Sequence, residues 1–229
     1  MTFYKMKKSA FFFFVGLIIS VTVFGQDAPI PSGFSKIDSA MGDLDKDSIV
    51  ELVVIYNTSE IIDNDSNDIV RQLVVYKKIG GQWTIWKQSK KAVLSSMSGG
   101  VLGDPYQGIE ITKGVLKIFH LGGSREKWSI TDIYRYQNGD FYLIGFTDFS
   151  GCPCDYWEKV DFNLSTGKLI YSKEYEVCEN EISPPKISKK VDDMLIVKGL
   201  KITMENRNSK DISFELPKTK AIVYIEIKR

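Results

Sequence analysis

Histidine and cysteine are scarce in this chain, which has one of the former and three of the latter among 229 residues, and its 30 basic residues nearly balance 29 acidic ones. One histidine excludes a His pair for zinc and makes any histidine-based triad depend on His120 alone. The near-neutral charge leaves no electrostatic footprint for nucleic acid. There is no Gly-x-Ser-x-Gly elbow, Walker loop or dinucleotide fingerprint. Glycines 99, 100, 103 and 108 lack the following Lys-Ser/Thr of a phosphate loop and read as tight turns.

Long apolar runs are also missing beyond the first. Lys5, Lys7 and Lys8 precede an apolar or small run at residues 10–24, about fifteen residues long. That is short of the roughly twenty needed to span a bilayer, and it ends at Val23-Phe24-Gly25, the pattern of a signal peptide cleaved after residue 25. The expected product is a periplasmic or extracellular chain with no stable membrane span after cleavage. No cysteine stands near the cleavage point to carry a lipid. Cleavage removes three lysines and no acid, leaving 27 basic and 29 acidic residues, a net charge of −2.

In an oxidising compartment a disulfide is expected. Cys152-Pro153-Cys154 is too tight to close on itself comfortably, so Cys178 pairs with Cys154 or with Cys152, Cys154 being the preferred partner. A redox or metal role for the Cys-x-Cys pair lacks a nearby histidine or further cysteine.

What the chain does have is a succession of short β-rich runs. Residues 51–56 and 70–76 read as strands, and Gly80-Gly81 turns the chain into 83–86. Residues 109–112 and 115–119 flank Lys113-Gly114, 133–136 and 141–144 flank Asn138-Gly139, and 159–162 and 168–171 flank Ser165-Thr166-Gly167. Strands at about ten-residue spacing suggest an all-β fold of antiparallel hairpins, arranged as a sandwich, an open barrel or a partial propeller-like sheet stack. The expected organisation is a signal peptide at 1–25 and a β-rich domain at 26–180. After Pro184-Pro185 and a mixed run at 186–193, residues 194–204 and 221–227 look strand-like again. Residues 181–229 are thus a C-terminal β appendage or the last strands of the same domain.

One loop carries chemistry. Counting Asp43 as the first position, acids fall at positions 1, 3, 5 and 9: Asp43, Asp45, Asp47 and Glu51. Carboxylates at alternate positions, with the Ile49 carbonyl at position 7, suit one hard cation, and calcium is expected over magnesium, whose geometry is stricter. Ser48 stands where calcium loops favour glycine, and Val54 replaces the bidentate glutamate of an EF-hand. Asp63-Asn-Asp-Ser-Asn-Asp68 is superficially similar, but its ninth position is Arg71, so it reads as a hairpin loop.

Residues 41–56 resemble the FG-GAP or VCBS-type repeat, whose Gly-Asp-x-Asn/Asp-x-Asp-Gly-x-x-Asp-Leu loop runs into a strand. The resemblance departs at Ser48 and Glu51, although Glu51 keeps a carboxylate. It implies calcium at a blade edge, without implying a whole propeller. A looser pattern, Gly99 to Gly108, Phe119-His120-Leu121-Gly122-Gly123-Ser124 and Trp128, is similar to exported bacterial proteins of unknown activity and reaches about residue 178.

The sequence thus supports an exported, non-enzymatic β domain with a structural calcium loop and an unknown protein or glycan partner. Two other classes stand beside it. A secreted hydrolase would use His120 with acids such as Asp104, or paired carboxylates such as Asp155 with Glu158 or Asp104 with Glu110. A carbohydrate-binding module would use exposed tryptophans among Trp83, Trp86, Trp128 and Trp157.

Overall fold

The computed structural model describes residues 28–63, 67–179, 184–209 and 211–225. The expected signal peptide and loop residues 64–66 lie outside the described residues. Within these residues thirteen strands follow one another: β1 Ser35–Gly42, β2 Glu51–Asp63, β3 Asp68–Ile79, β4 Gln82–Ser89, β5 Tyr106–Thr112, β6 Val115–Gly123, β7 Lys127–Gln137, β8 Asp140–Cys152, β9 Tyr156–Asn163, β10 Lys168–Val177, β11 Lys186–Ile196, β12 Ser213–Glu215 and β13 Ile222–Tyr224. Among the described residues the one helical element is a 3-10 turn at Gly100–Leu102.

The expected hairpins form where turn chemistry permits. Asn138 and Gly139, with φ of 51° and 84°, make the two-residue link between β7 and β8, because both can take the left-handed conformation that a tightly twisted hairpin needs. Lys113-Gly114 joins β5 to β6 in the same way. Asp63 pairs with Asp68, so the second acidic stretch closes a hairpin as read.

All sheets are antiparallel and each strand pairs with its sequence neighbour: β1 to β4 make a four-stranded sheet, β5 to β11 a seven-stranded one, and β12 with β13 a small hairpin. The sheets do not close into a barrel, and the arrangement is that of a sandwich. At their junction the Tyr106 hydroxyl of β5 donates to Asp38 of β1 at 2.8 Å.

β2 and β3 are buried on both faces. Val53, Ile55, Leu73 and Val75 join a core with Leu116, Ile118, Ile130, Phe146, Phe162 and Leu169 of the larger sheet. Leu52, Val54, Tyr56, Val74 and Tyr76 point the other way, where Ala28, Phe34 and Trp83 cover them. The Tyr56 and Tyr76 hydroxyls both donate to the Pro29 carbonyl, at 2.9 and 3.3 Å, which holds the covering segment down. Two-sided burial is why these strands read as unbroken apolar runs instead of alternating.

One sequence expectation is corrected. The last strand of the large sheet is β11, Lys186–Ile196, and not residues 194–204; of the latter, Thr203 makes an isolated bridge to Tyr142. Among the described residues β11 is an edge strand, paired only to β10, and its three lysines and two aspartates suit an edge that must not recruit another strand. The chain then returns to the common core, to which Ile202, Met204, Leu216, Val223 and Ile225 contribute. A disulfide joins Cys154, in the β8–β9 turn, to Cys178 just past β10, with Cα atoms 5.2 Å apart; Cys152 is free and buried.

An ion pair clamps the C-terminal segment. Arg207 donates from Nε to Asp132 Oδ2 at 2.7 Å, from Nη2 to Oδ1 at 3.1 Å and from Nη1 to the Ile225 carbonyl at 2.9 Å. Both charged side chains are 0% exposed. The Tyr134 hydroxyl also donates to Asp132, at 3.1 Å. Removing one partner strands the other charge, so Arg207→Met should cost about 3–5 kcal/mol in urea denaturation, whereas Arg207→Met with Asp132→Leu should recover most of it. A single-variant loss under about 1 kcal/mol would show that the pair does not hold the segment.

Candidate metal centre

Gly42, the last residue of β1, pairs with Glu51, the first of β2, so residues 43–50 leave and rejoin the ladder at one rung. Gly42 is required by proximity: a Cβ there would fall 2.4 Å from Ile111 Cγ2 of β5. Leu44 is buried in the common core and anchors the loop from within. Its N–H donates to Glu51 Oε2 at 2.7 Å.

The rest of the loop is folded by its own carboxylates. Asp43 accepts from the amides of Lys46 at 2.6 Å and Ser48 at 3.0 Å, and Asp47 accepts from the Ile49 amide at 2.8 Å. Lys46 and Ser48 both have left-handed φ, 66° and 69°. Ser48, at the position where calcium loops favour glycine, therefore adopts a conformation open to glycine, at a strain of roughly 1–2 kcal/mol. Its bond to Asp43 offsets part of that.

Carboxylate oxygens of Asp43, Asp45 and Glu51 lie within 4.8 Å of one another, a group that can hold a metal ion. Asp47 is outside this group, and Ile49 is a half-exposed rim residue whose N–H serves Asp47. Into the cluster reaches Lys77 of β3. Its ammonium contacts Asp45 Oδ2, lies 3.1 Å from Asp47 Oδ2 and 3.7 Å from Glu51 Oε1, and sits 4.6 Å from the centre of the Trp86 ring. One ammonium against four carboxylates leaves a negative excess.

Two oxygens show where that excess is concentrated. Asp45 Oδ1 and Glu51 Oε1 are buried and accept no hydrogen bond among the described residues. Burial pushes the Glu51 carboxyl above its ordinary value of 4.5, and Asp45 and Asp47 push the same way against the Leu44 amide and Lys77. Asp47 is instead held below the ordinary range, chiefly by the Ile49 amide and then by Lys77. The Lys77 ammonium is held charged by Asp45 above all.

The other candidate residues sit elsewhere. His120 is 1% exposed; its Nε2 accepts from the Leu94 amide at 3.3 Å, and burial pushes its pKa down to about 4. Asp104 is gripped by the buried Arg71, with Nη1 to Oδ1 at 2.7 Å; burial would raise its pKa, but Arg71 and the Tyr106 amide hold it low. Glu110 pairs with Lys117 at 3.2 Å, and Glu158 pairs with Lys173 at 3.2 Å, apart from Asp155 in the neighbouring turn. Trp128 is buried, Trp86 packs against Tyr136 and Phe141, Trp83 is half-buried, and Trp157 stacks on Phe149.

Sequence reasoning missed Lys77. The signal that could have found it is register: Leu52 pairs with Tyr76, so the next rung brings residue 77 opposite Glu51. Compared with known protein families, with curated proteins and with solved structures, the chain matches none.

Lys77→Met tests the competition directly. In chelator the variant should melt a few degrees lower, reflecting roughly 1 kcal/mol lost with the one cation among the described residues that pairs with the cluster. In calorimetric titration it should bind a divalent cation roughly tenfold more tightly than the unaltered chain, because no ammonium occupies the carboxylates. A variant that is as stable in chelator and binds no tighter would mean that Lys77 and a metal do not share the site.

Proposed function

We propose that this chain is an exported, non-enzymatic β domain whose acid cluster holds a structural calcium ion, and that it serves interaction or envelope maintenance through a protein or glycan partner. The observation that carries the metal reading is the convergence of Asp43, Asp45 and Glu51, with two buried carboxylate oxygens that accept no hydrogen bond from the described residues. Calcium fits an all-oxygen donor set of uneven geometry better than magnesium, which demands near-octahedral packing, or zinc, which favours nitrogen and sulfur. Asp43, Asp45 and Glu51 would bind directly, and Asp47 with the Ile49 carbonyl would complete the shell when Lys77 withdraws. The ion would order the turn before β2. The local resemblance to an FG-GAP or VCBS-type loop supports the same reading, and the left-handed Ser48 removes one objection to it.

A hydrolase is less well supported. His120 is buried with Nε2 engaged, and Asp104 is committed to Arg71, so the two do not present an accessible acid–base pair.

The test is a thermal melt of residues 26–229 in chelator, in millimolar calcium and in millimolar magnesium. Saturation at a hundred times the dissociation constant adds roughly 2.7 kcal/mol, a rise of about 5–10 °C for a domain of this size. The calcium increment should also depend on pH. Because the folded Glu51 carboxyl is raised, the metal-free fold holds a proton that the unfolded chain has released, so metal-free stability declines as pH rises from 4.5 through the raised value. Calcium needs that carboxylate ionised, so its increment should grow from pH 5 to pH 7.5. An equal rise in magnesium, or none in either ion, would overturn the calcium assignment.

A further inference from the structure

The inner face of the seven-stranded sheet does not end with the common core. On β10, Leu169 and Tyr171 are buried, and strand alternation puts Lys173 and Tyr175 on the same face further along. Cross-strand pairing extends this surface sideways. Tyr175 lies between Tyr156 of β9 and Lys189 of β11, and Lys173 lies between Glu158 and Val191. Over it stands the turn at residues 217–219 between β12 and β13. Asp193 of β11 pins that turn, accepting from the Lys218 amide at 3.0 Å, the Thr219 amide at 2.7 Å and the Thr219 hydroxyl at 2.9 Å. The result is a cavity of about 500 Å³ whose walls include Tyr171, Tyr175, Lys173, Lys189, Lys218 and Thr219.

Its charge is one-sided. Among the described residues no carboxylate lines it. Lys173 is matched by Glu158 at 3.2 Å and lies 3.6 Å from the centre of the Tyr156 ring. Lys189 stands 5.5 Å from the Tyr175 ring and makes no ion pair among the described residues. Among the described residues Lys218 reaches only the Asp192 carbonyl, at 3.5 Å. Asp193 spends its charge on the turn: burial works to raise its pKa, but the Thr219 and Met194 amides hold it low. Two ammonium groups from different elements therefore face a space walled by tyrosine rings. The Tyr171 ring is set in place by its hydroxyl, which donates to Glu158 at 3.2 Å, and behind the wall the Tyr156 hydroxyl donates to Glu126 at 2.9 Å.

We propose that this cavity between β10, β11 and the 217–219 turn is a binding site for a small organic anion bearing a carboxylate on a ring. The volume is that of a small-molecule pocket. The ammonium groups of Lys189 and Lys218 take the carboxylate by charge-assisted hydrogen bonds. The tyrosine faces pack against the ring. Inorganic phosphate fits poorly, because the turn amides that could cradle it are already given to Asp193 and no arginine fork is present in the lining. A neutral ring leaves both ammonium groups unmatched. The site uses strands other than those of the acid cluster, so its failure and the failure of the calcium reading are separate results.

The experiment is a titration of the protein, followed by two-dimensional NMR, with four probes: digalacturonate, benzoate, the neutral disaccharide cellobiose, and inorganic phosphate. At least one of the two carboxylates should bind with a dissociation constant of roughly 1 mM or tighter, and which of them does distinguishes a sugar acid from an aromatic acid. Shifts should fall on residues 171–175, 189–191 and 218–221. Lys189→Gln with Lys218→Gln, both exposed positions, should weaken binding roughly tenfold or more while leaving the melting temperature unchanged, and Lys189→Arg with Lys218→Arg should retain it. The proposal is overturned if neither carboxylate binds at that strength, if cellobiose or phosphate binds as well as they do, or if the double glutamine variant binds unchanged.

Discussion

Burial of β2 and β3 on both faces is the constraint from which the rest of the molecule follows. Once Val53 and Ile55 are committed to the common core and Leu52 and Val54 to the opposite cluster, β2 cannot shift or turn over without exposing one set. Its first residue is then inside as well, and that residue is an acid. Glu51 is 0% exposed, and a carboxylate placed there must be matched. The register supplies Lys77 from the adjoining strand, the Leu44 amide supplies one hydrogen bond, and the loop folds back to bring Asp43 and Asp45 alongside. The acid cluster is thus a consequence of where the strand has to lie.

The same logic governs the other buried charges. Arg207 and Asp132 join residues 75 apart in sequence, and Arg71 and Asp104 join residues 33 apart. Each pair fixes one arrangement of segments that apolar contact alone would leave with more freedom, at the expense of desolvating both ions in the first pair and the guanidinium in the second. The Tyr106 ring adds to the second, standing 5.5 Å from the Arg71 guanidinium while its hydroxyl reaches Asp38 on β1. These contacts set the sheets against each other at the junction beside the acidic loop.

Much of the fold was legible because hairpins are local. Two-residue turns at Lys113-Gly114 and Asn138-Gly139 announce themselves, and the strands beside them follow from alternation. β1 and β11 were not read: the first has mixed polarity, and the second is a charged edge whose inward residues face a cavity and only partly a core. Within the site, the acidic spacing was legible and Lys77 was not, since its place depends on a register across a hairpin whose tip carries several polar residues. The tyrosine and lysine cavity left still less trace, because its walls come from two strands and a turn some forty residues further on. The disulfide was legible as far as Cys178, because Cys-Pro-Cys is too tight to close on itself; that Cys154 and not Cys152 is the partner depends on the fold, which places Cys154 in the β8–β9 turn beside the end of β10.

Trp86 makes the central claim open to one direct measurement. Its ring lies 4.6 Å from the Lys77 ammonium that sits among the carboxylates, so an ion in the cluster would be close enough to receive energy from it. Terbium takes the same hard oxygen ligands as calcium. On tryptophan excitation, added terbium should give sensitised emission that calcium displaces, that Trp86→Phe abolishes and that Glu51→Gln strongly weakens. Absence of sensitised emission, or emission unchanged in Glu51→Gln, would mean that Asp43, Asp45 and Glu51 are matched by Lys77 alone and hold no metal.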